Sequence, residues 1–361
     1  MSSSENSSYV PMIKEVTIEN FKGIRHCEIN DLSKFNLFIG KNNCGKSTIM
    51  EALYFTGKES LGANLPQCIT RRSNRGNWSA RELWYEYNMP SSKVETRMRF
   101  NSEDMFGMQL RFSEQKKLIE EYLYSDVSDK GTWQLVREYQ VASFAHTREY
   151  GIPTVRGNHP NEIRRYFDRS CFIDPTIKTD VRQIEGNYLN IMKLSEDDSS
   201  DLAKRTSEIY GTKASWEFLP HRDFSADNPS RFAILEGKRR MFFDNFGDGL
   251  HYGLAILAIA KTRTDTALFV EEIESHQHPE AIKSLISNLL DIAKLNNLQL
   301  FITTHSDYVR DYLYYYFKGP EERGKEFKCF HVIRNRDNGE VETRIEEGTV
   351  NIIEDLHGRP Q

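Results

Sequence analysis

"GKNNCGKST", residues 40–48, decides the reading of this chain. Gly40, four residues, then Gly45, Lys46 and Ser47 fit the phosphate-loop spacing G-x-x-x-x-G-K-[ST]. The flanks supply context. "KFNLFI" before the loop is a short apolar run of strand character, and "STIMEALYF" after it sets Ile49, Ala52 and Leu53 at helical spacing. A glycine loop joining strand to helix can turn its backbone N–H groups onto phosphates, where any Cβ would interfere. Lys46 then brings charge to the β- and γ-phosphates, Ser47 offers a hydroxyl to Mg2+, and the helix directs its positive end at the anion. Gly40, Asn42, Asn43, Cys44, Gly45, Lys46, Ser47 and Thr48 are therefore the expected nucleotide-binding residues, with ATP and Mg2+ as the ligands. Cys44 lies beside a helix N-terminus, which favours a thiolate, so its alkylation is expected to block ATP.

A Mg2+-nucleotide site also needs carboxylates at a strand end, one for the metal shell and one to orient or deprotonate water. "LFVEE" supplies them: Glu271 is read as the metal ligand and Glu272 as the catalytic residue. His305 ends a further apolar strand, "LQLFITT", whose carboxyl edge would bring its imidazole toward the γ-phosphate. Glu271, Glu272, Glu274, His276, His278 and His305 could be described as a zinc cluster instead, but no H-E-x-x-H spacing is present and Mg2+ with ATP explains more residues.

Working outward, "MIKEVTIENFKGIRHCEIN" alternates on both sides of Lys22-Gly23 and predicts a hairpin. "KVETRMRF" and "TWQLVREYQV" predict strands, and "DDSSDLAKRTSEIYG" a helix stopped by glycine. "RFAILEGKRRMFF" reads as a hairpin turning at Glu236-Gly237-Lys238. "GLHYGLAILAIAKT" reads as a helix burying Leu250, Leu254 and Leu257. A long helix is expected from Pro279, and a closing hairpin across Asp337-Asn338-Gly339. The order of strands and helices implies an α/β nucleotide domain (11–60 and 231–361) interrupted by an inserted β/helical lobe (61–230), after a disordered tail (1–10).

Composition sets outer bounds. A chain of 361 residues with 38% hydrophobic content can pack one large or two intimate domains. A net charge of −5 argues against a surface coated in positive charge, while a local basic groove would survive it. There is no apolar run of membrane-spanning length and no signal-peptide core in "MSSSENSSYV". The five cysteines are scattered without C-x-x-C spacing, which fits a reducing cytoplasm.

"IENFKG" (18–23), the phosphate loop, "FGDGLHYGLAIL", "VEEIESHQHP" and "TTHS" together resemble ATPases of the ABC type, especially the RecF, SMC and OLD (overcoming lysogenization defect) group. The resemblance implies an α/β fold: an ABC-type P-loop ATPase head with an N-terminal antiparallel β subdomain and an inserted α+β lobe. Gly247, Asp248 and Gly249 match the Gly-Asp-Gly motif that replaces the usual Ser-Gly-Gly signature in OLD-like members. Glu272-Ile273-Glu274 and His278-Pro279 match the acidic strand end, with Ile273 where the family has proline. The implied mechanism is a homodimer or higher homo-oligomer in which ATP on Lys46 and Ser47 is covered by Gly247–Gly249 of another copy, and hydrolysis at Glu272 separates the copies.

Two departures limit the transfer: Gly247 stands in place of a serine, and the magnesium-binding glutamine has no clear match among Gln67, Gln109 and others. About 170 residues without heptads cannot supply SMC coiled-coil arms. Roughly 55 residues after His305 are too few for a Toprim nuclease domain of about 100. Two uses of ATP are expected. One is a DNA-linked clamp, with Arg71, Arg72, Arg75, Trp78 and Arg81, or more weakly Lys238, Arg239 and Arg240, as contacts. The other is a scaffold and sensor that holds a separate effector protein, a nuclease or toxin, in anti-phage defence.

Overall fold

The computed structural model describes residues 9–59, 80–125, 132–140, 146–149, 159–175, 196–211, 216–220, 232–242, 245–317 and 325–346. The chain divides into two compact units, Met1–Ser170 with Lys325–Glu346, and Cys171–Gly324 with Glu347–Gln361. That partition runs through the segment 61–230.

The first unit begins with strands β1 (Ile13–Phe21), β2 (Ile24–Ile29) and β3 (Phe35–Ile39) and helix α1 (Lys46–Glu59). Strands β4 (Val94–Phe100), β5 (Met105–Ser113), β6 (Leu118–Ser125), β7 (Thr132–Gln140) and β8 (His146–Glu149) and helix α2 (Pro160–Arg169) follow. The second unit carries β9 (Cys171–Ile173), α3 (Glu196–Tyr210), β10 (Trp216–Pro220), β11 (Phe232–Glu236), β12 (Arg239–Phe242) and α4 (Asp248–Thr262). It continues with β13 (Ala267–Val270), α5 (Pro279–Leu295), β14 (Gln299–Thr303) and α6 (Asp307–Tyr316). The chain then returns to the first unit as β15 (Phe327–Arg334) and β16 (Glu340–Ile345).

In the first unit the strand order is β8-β7-β6-β5-β4-β1-β2-β16-β15-β3. The neighbours from β8 through to β2 are antiparallel, whereas β16 joins β2, and β15 joins β3, in parallel. Alternation decides which side is covered: on β4, Thr96, Met98 and Phe100 are buried while Arg97 and Arg99 are half-buried. The buried side meets α2, where Phe100 packs edge-on to both Tyr166 (5.9 Å) and Phe167 (5.7 Å). Such aromatic pairs each contribute about 0.5–1.5 kcal/mol beyond their buried area. Of the expected tail, residues 1–8 lie outside the described residues. Tyr9 donates to Asn101 Oδ1 (2.6 Å) and stacks on His159.

The second unit holds β14, β13 and β9 side by side, all parallel, and a separate antiparallel sheet β10-β11-β12. Every residue of β13 and β14 is buried, the pattern of a parallel sheet covered on both faces. Phe172, Phe269 and Phe301 stand in register across these strands and stack at 6.0 and 4.9 Å. Helix α5 starts where Pro279 predicts, with His278 as its cap accepting from Glu280 N. Helix α6, which no apolar stripe in the sequence announces, is capped by Ser306 accepting from Val309 N. Among the described residues no helix is long and apolar enough to cross a membrane.

Candidate functional site

The phosphate loop is built by the first unit alone. It runs from the end of β3 to α1, with Gly40 at φ 140°, Asn43 at 62° and Gly45 at 109°. Gly40 is required twice over, since a Cβ there would also lie 2.5 Å from the Val332 carbonyl oxygen of β15. Gly45 is next to Ile24 and Val341. The ammonium of Lys46 is drawn into the loop, donating to the carbonyls of Gly40 (2.8 Å) and Lys41 (3.1 Å), and the residue is 5% exposed. Ile49 N donates to Gly45 O and starts the helix, and no acidic residue occupies the first turn of α1. Its positive end therefore stays un-neutralised, as an anion site needs. Asn42 and Asn43 are exposed, Ser47 and Thr48 are half-buried, and the Cys44 thiol is buried within 3.9 Å of Lys46 Nζ.

The acidic strand end belongs to the second unit, together with His305 and the segment Gly247–Gly249. Glu271 is buried; its N–H donates to Ile173 O on β9, and its carbonyl accepts from the Tyr252 hydroxyl of α4. Burial, then the charge of Glu271, holds the Tyr252 hydroxyl well above its ordinary pKa, so it remains a donor. Glu272 leaves the strand at φ 47°, a left-handed conformation that turns its half-exposed carboxylate out of the sheet. Its N–H donates to Thr303 Oγ1 (2.9 Å), and its Oε2 accepts from Ser275 Oγ (3.2 Å). His305 Nε2 lies 3.7 Å from Glu272 Oε1, near enough for electrostatic pairing and long for a direct hydrogen bond. Glu274 Oε1 accepts from the His305 N–H (2.7 Å), which ties the ends of β13 and β14 together. The structure thus brings Glu272, Glu274 and His305 into one corner.

Asp248 opens α4, with Gly247 as its cap. The two glycines of the motif differ. A Cβ on Gly247 would meet nothing within 4 Å, whereas one on Gly249 would lie 2.5 Å from the His276 carbonyl oxygen. Gly249 is therefore also demanded by packing inside the chain. Of the zinc alternative, no group of three His, Cys, Asp or Glu residues that could hold a metal ion occurs among the described residues. The oxygen donors expected for Mg2+, the Ser47 hydroxyl and the Glu271 carboxylate, are hard ligands of the kind that cation takes.

Sequence reasoning passed over Thr303, Ser275, Gln277 and Tyr210, which hold this corner through side chains. Ser and Thr beside a strand-end carboxylate gave a faint hint; Tyr210, from the distant helix α3, gave none. Gln109 is buried, donates to Glu95 and accepts from Arg111, so the β-sheet already employs it. Arg71, Arg72, Arg75, Trp78 and Gln67 lie outside the described residues. Arg81, Lys238, Arg239 and Arg240 are exposed.

The chain is 21% identical over 330 residues to a Helicobacter pylori protein named ATP/GTP phosphatase, covering 82% of this chain and 85% of that one. It is 31% identical over 127 residues to an uncharacterized protein of Methanocaldococcus jannaschii, covering 34% of this chain and 57% of that protein. Among solved structures it is similar to an SMC head bound to the C-terminal winged-helix domain of ScpA, at a TM-score of 0.50 and 13% identity, covering 93% of this chain and 98% of the other. That likeness shows the fold: a mixed α/β ATPase head of the SMC, ABC-type kind. A family model described as "AAA domain, putative AbiEii toxin, Type IV TA system" matches residues 35–311, from the first residue of β3 into α6, and the chain belongs to that family of AAA-type ATPase domains.

Proposed function

We propose that this AAA-type domain binds ATP with Mg2+ and hydrolyses it as a nucleotide-driven switch between copies of the chain. The observation that carries the reading is the phosphate loop: positive φ at Gly40, Asn43 and Gly45 in front of a buried Lys46 ammonium and an un-neutralised helix start. In the proposed cycle Lys46 and the loop N–H groups hold the β- and γ-phosphates. Ser47 and Glu271 hold Mg2+, which when bound screens the phosphate charge. Glu272 orients and deprotonates the attacking water, and His305 stabilises charge at the γ-phosphate. The start of α4, at Gly247, Asp248 and Gly249, covers the nucleotide of a second copy with its N–H groups, and the homodimer opens after hydrolysis. An OLD-like ATPase core at 11–60 and 231–361, with 61–230 inserted, working in the cytoplasm and in contact with DNA, completes the reading.

The test is steady-state ATP hydrolysis by the wild type and Glu272→Gln, each with and without duplex DNA. Turnover abolished by the substitution and raised several-fold by DNA supports the DNA-linked switch; absence of wild-type turnover overturns it. In a second reading the switch holds and releases a separate effector protein; the family description, which names a toxin–antitoxin system, supports a role beside a partner protein and names no DNA. Turnover that depends on Glu272 yet ignores DNA would select that reading.

A further inference from the structure

Helix α4 begins with two glycines one turn apart, Gly249 and Gly253, and the structure fills the space above both. A Cβ on Gly249 would strike the His276 carbonyl, and a Cβ on Gly253 would lie 1.6 Å from the Tyr210 hydroxyl oxygen. Gln277 spans the place between these contacts. Its Nε2 donates to Gly249 O (2.8 Å) and, at longer range, to Ser275 O (3.4 Å), while its Oε1 accepts from the Tyr210 hydroxyl (2.7 Å). The amide has only one orientation that satisfies these partners, with two carbonyls on the nitrogen side and a hydroxyl on the oxygen side. Burial raises the pKa of that hydroxyl above its ordinary value, so it stays protonated and the amide cannot flip without losing a partner.

We propose that Gln277, oriented by Tyr210, is a positioning residue that sets the first turn of α4 against the acidic turn 271–276. Gly249 O belongs to the turn whose N–H groups the proposed function aims at a nucleotide, and Gln277 N donates to Glu274 O (3.0 Å) in the turn that follows Glu272. One residue, through its amide and its main-chain N–H, thereby ties the expected signature segment to the turn that follows the expected catalytic Glu272 within a single chain. Glu274 extends the tie, because its Oε1 holds the His305 N–H. The functional consequence rests on the proposed ATP-hydrolysing reading; the positioning itself does not.

The experiment compares Gln277→Glu, Tyr210→Phe and wild type. Gln277→Glu keeps size and the acceptor for Tyr210 while replacing the donor to Gly249 O by an oxygen. A fall in kcat of about five- to tenfold is expected, the size of one lost hydrogen bond, with KM and the affinity for a non-hydrolysable ATP analogue unchanged. Tyr210→Phe is expected to lose roughly half of that effect on a logarithmic scale, since the amide keeps its donor but not its fixed orientation. Amide hydrogen exchange within Gly249–Gly253 is expected to quicken by about tenfold in Gln277→Glu, with the rest of α4 unchanged. Wild-type kcat and exchange in that variant would overturn the proposal, as would losses of affinity, turnover and thermal stability in equal step. If the wild type itself does not turn over ATP, the proposed function falls alone. Exchange then decides: quickening confined to the first turn of α4 supports the tie, and unchanged exchange overturns it.

Discussion

The phosphate loop and the acidic corner are built on opposite principles. In the loop the main chain does the holding: Gly40 and Gly45 at positive φ, Gly40 seated on the Val332 carbonyl, and a lysine folded onto backbone oxygens. In the corner the side chains do it, through Thr303 to Glu272, Glu274 to His305, and Tyr210 through Gln277 to Gly249. A backbone-built site tolerates few residue types and so has a fixed spacing. A side-chain network can be assembled from helices far apart in sequence and leaves no spacing behind.

The contrast predicts that corner variants lose turnover while loop variants lose binding. Glu272→Gln should reduce turnover by roughly 10²–10⁴-fold, the usual worth of general-base help, with ATP affinity intact in a binding titration. Weakened ATP binding in that variant would break the distinction. Lys46→Met should weaken ATP about 10- to 100-fold, since a charged hydrogen bond is worth around 1.5–3 kcal/mol, and unaltered affinity would remove the lysine from the loop's function. Gly40→Ala gains at most about 1 kcal/mol from a stiffer unfolded chain, set against roughly 1–3 kcal/mol of φ strain and a further clash with Val332 O. Net destabilisation and a lower midpoint in chemical denaturation are expected, and a stabilised protein would mean the loop is not held as described.

The smallest effect concerns acid. Burial works against ionisation of the Glu95 carboxylate, but hydrogen bonds from Lys93 and Gln109 and the charge of Arg97 outweigh it, and its pKa is lowered from 4.5. A lowered folded pKa means stability present above the unfolded value and lost as pH falls through the folded one. Denaturation midpoints should therefore drop below about pH 4.3 less steeply in Glu95→Gln than in wild type, and parallel profiles would refute this.

Much of the fold was legible because its strands carry local patterns. β1 and β2 alternate around Lys22-Gly23, β13 is an unbroken apolar run, β14 has an apolar centre at Leu300–Ile302, and α5 begins at Pro279. Helix α6 escaped because "DYVRDYLYYY" buries only Val309 and Leu313, too few apolar residues to show a stripe. The hairpin of β15 with β16 was legible at Asp337-Asn338-Gly339, but the pairing of β15 with β3 and of β16 with β2 escaped because pairing between remote segments has no local signature. At the candidate site, Lys46, Ser47, Glu271 and Glu272 stand in motifs. Gln277 stands inside "VEEIESHQHP" and Tyr210 in the α3 stretch, yet neither stretch shows that the two meet, because their meeting depends on the packing of α3 near α4, made possible by a missing side chain at Gly253.

The parallel pairing of β15 with β3 has a consequence for synthesis. Ser33 Oγ donates to Lys325 O across 292 residues of chain, and the Gly40 seat on Val332 lies in the same ladder. On a ribosome adding about 5–20 residues per second, the phosphate-loop motif emerges roughly 15–60 s before its neighbouring strand. Until that strand arrives, β3 has one edge without its native partner and Gly40 lacks its backstop. Non-local pairing of this kind forms late, so the chain cannot complete its loop from the first part alone. Retention on immobilised ATP should therefore appear only in nascent chains that have released residue 345, which would make nucleotide capture a readout of finished folding.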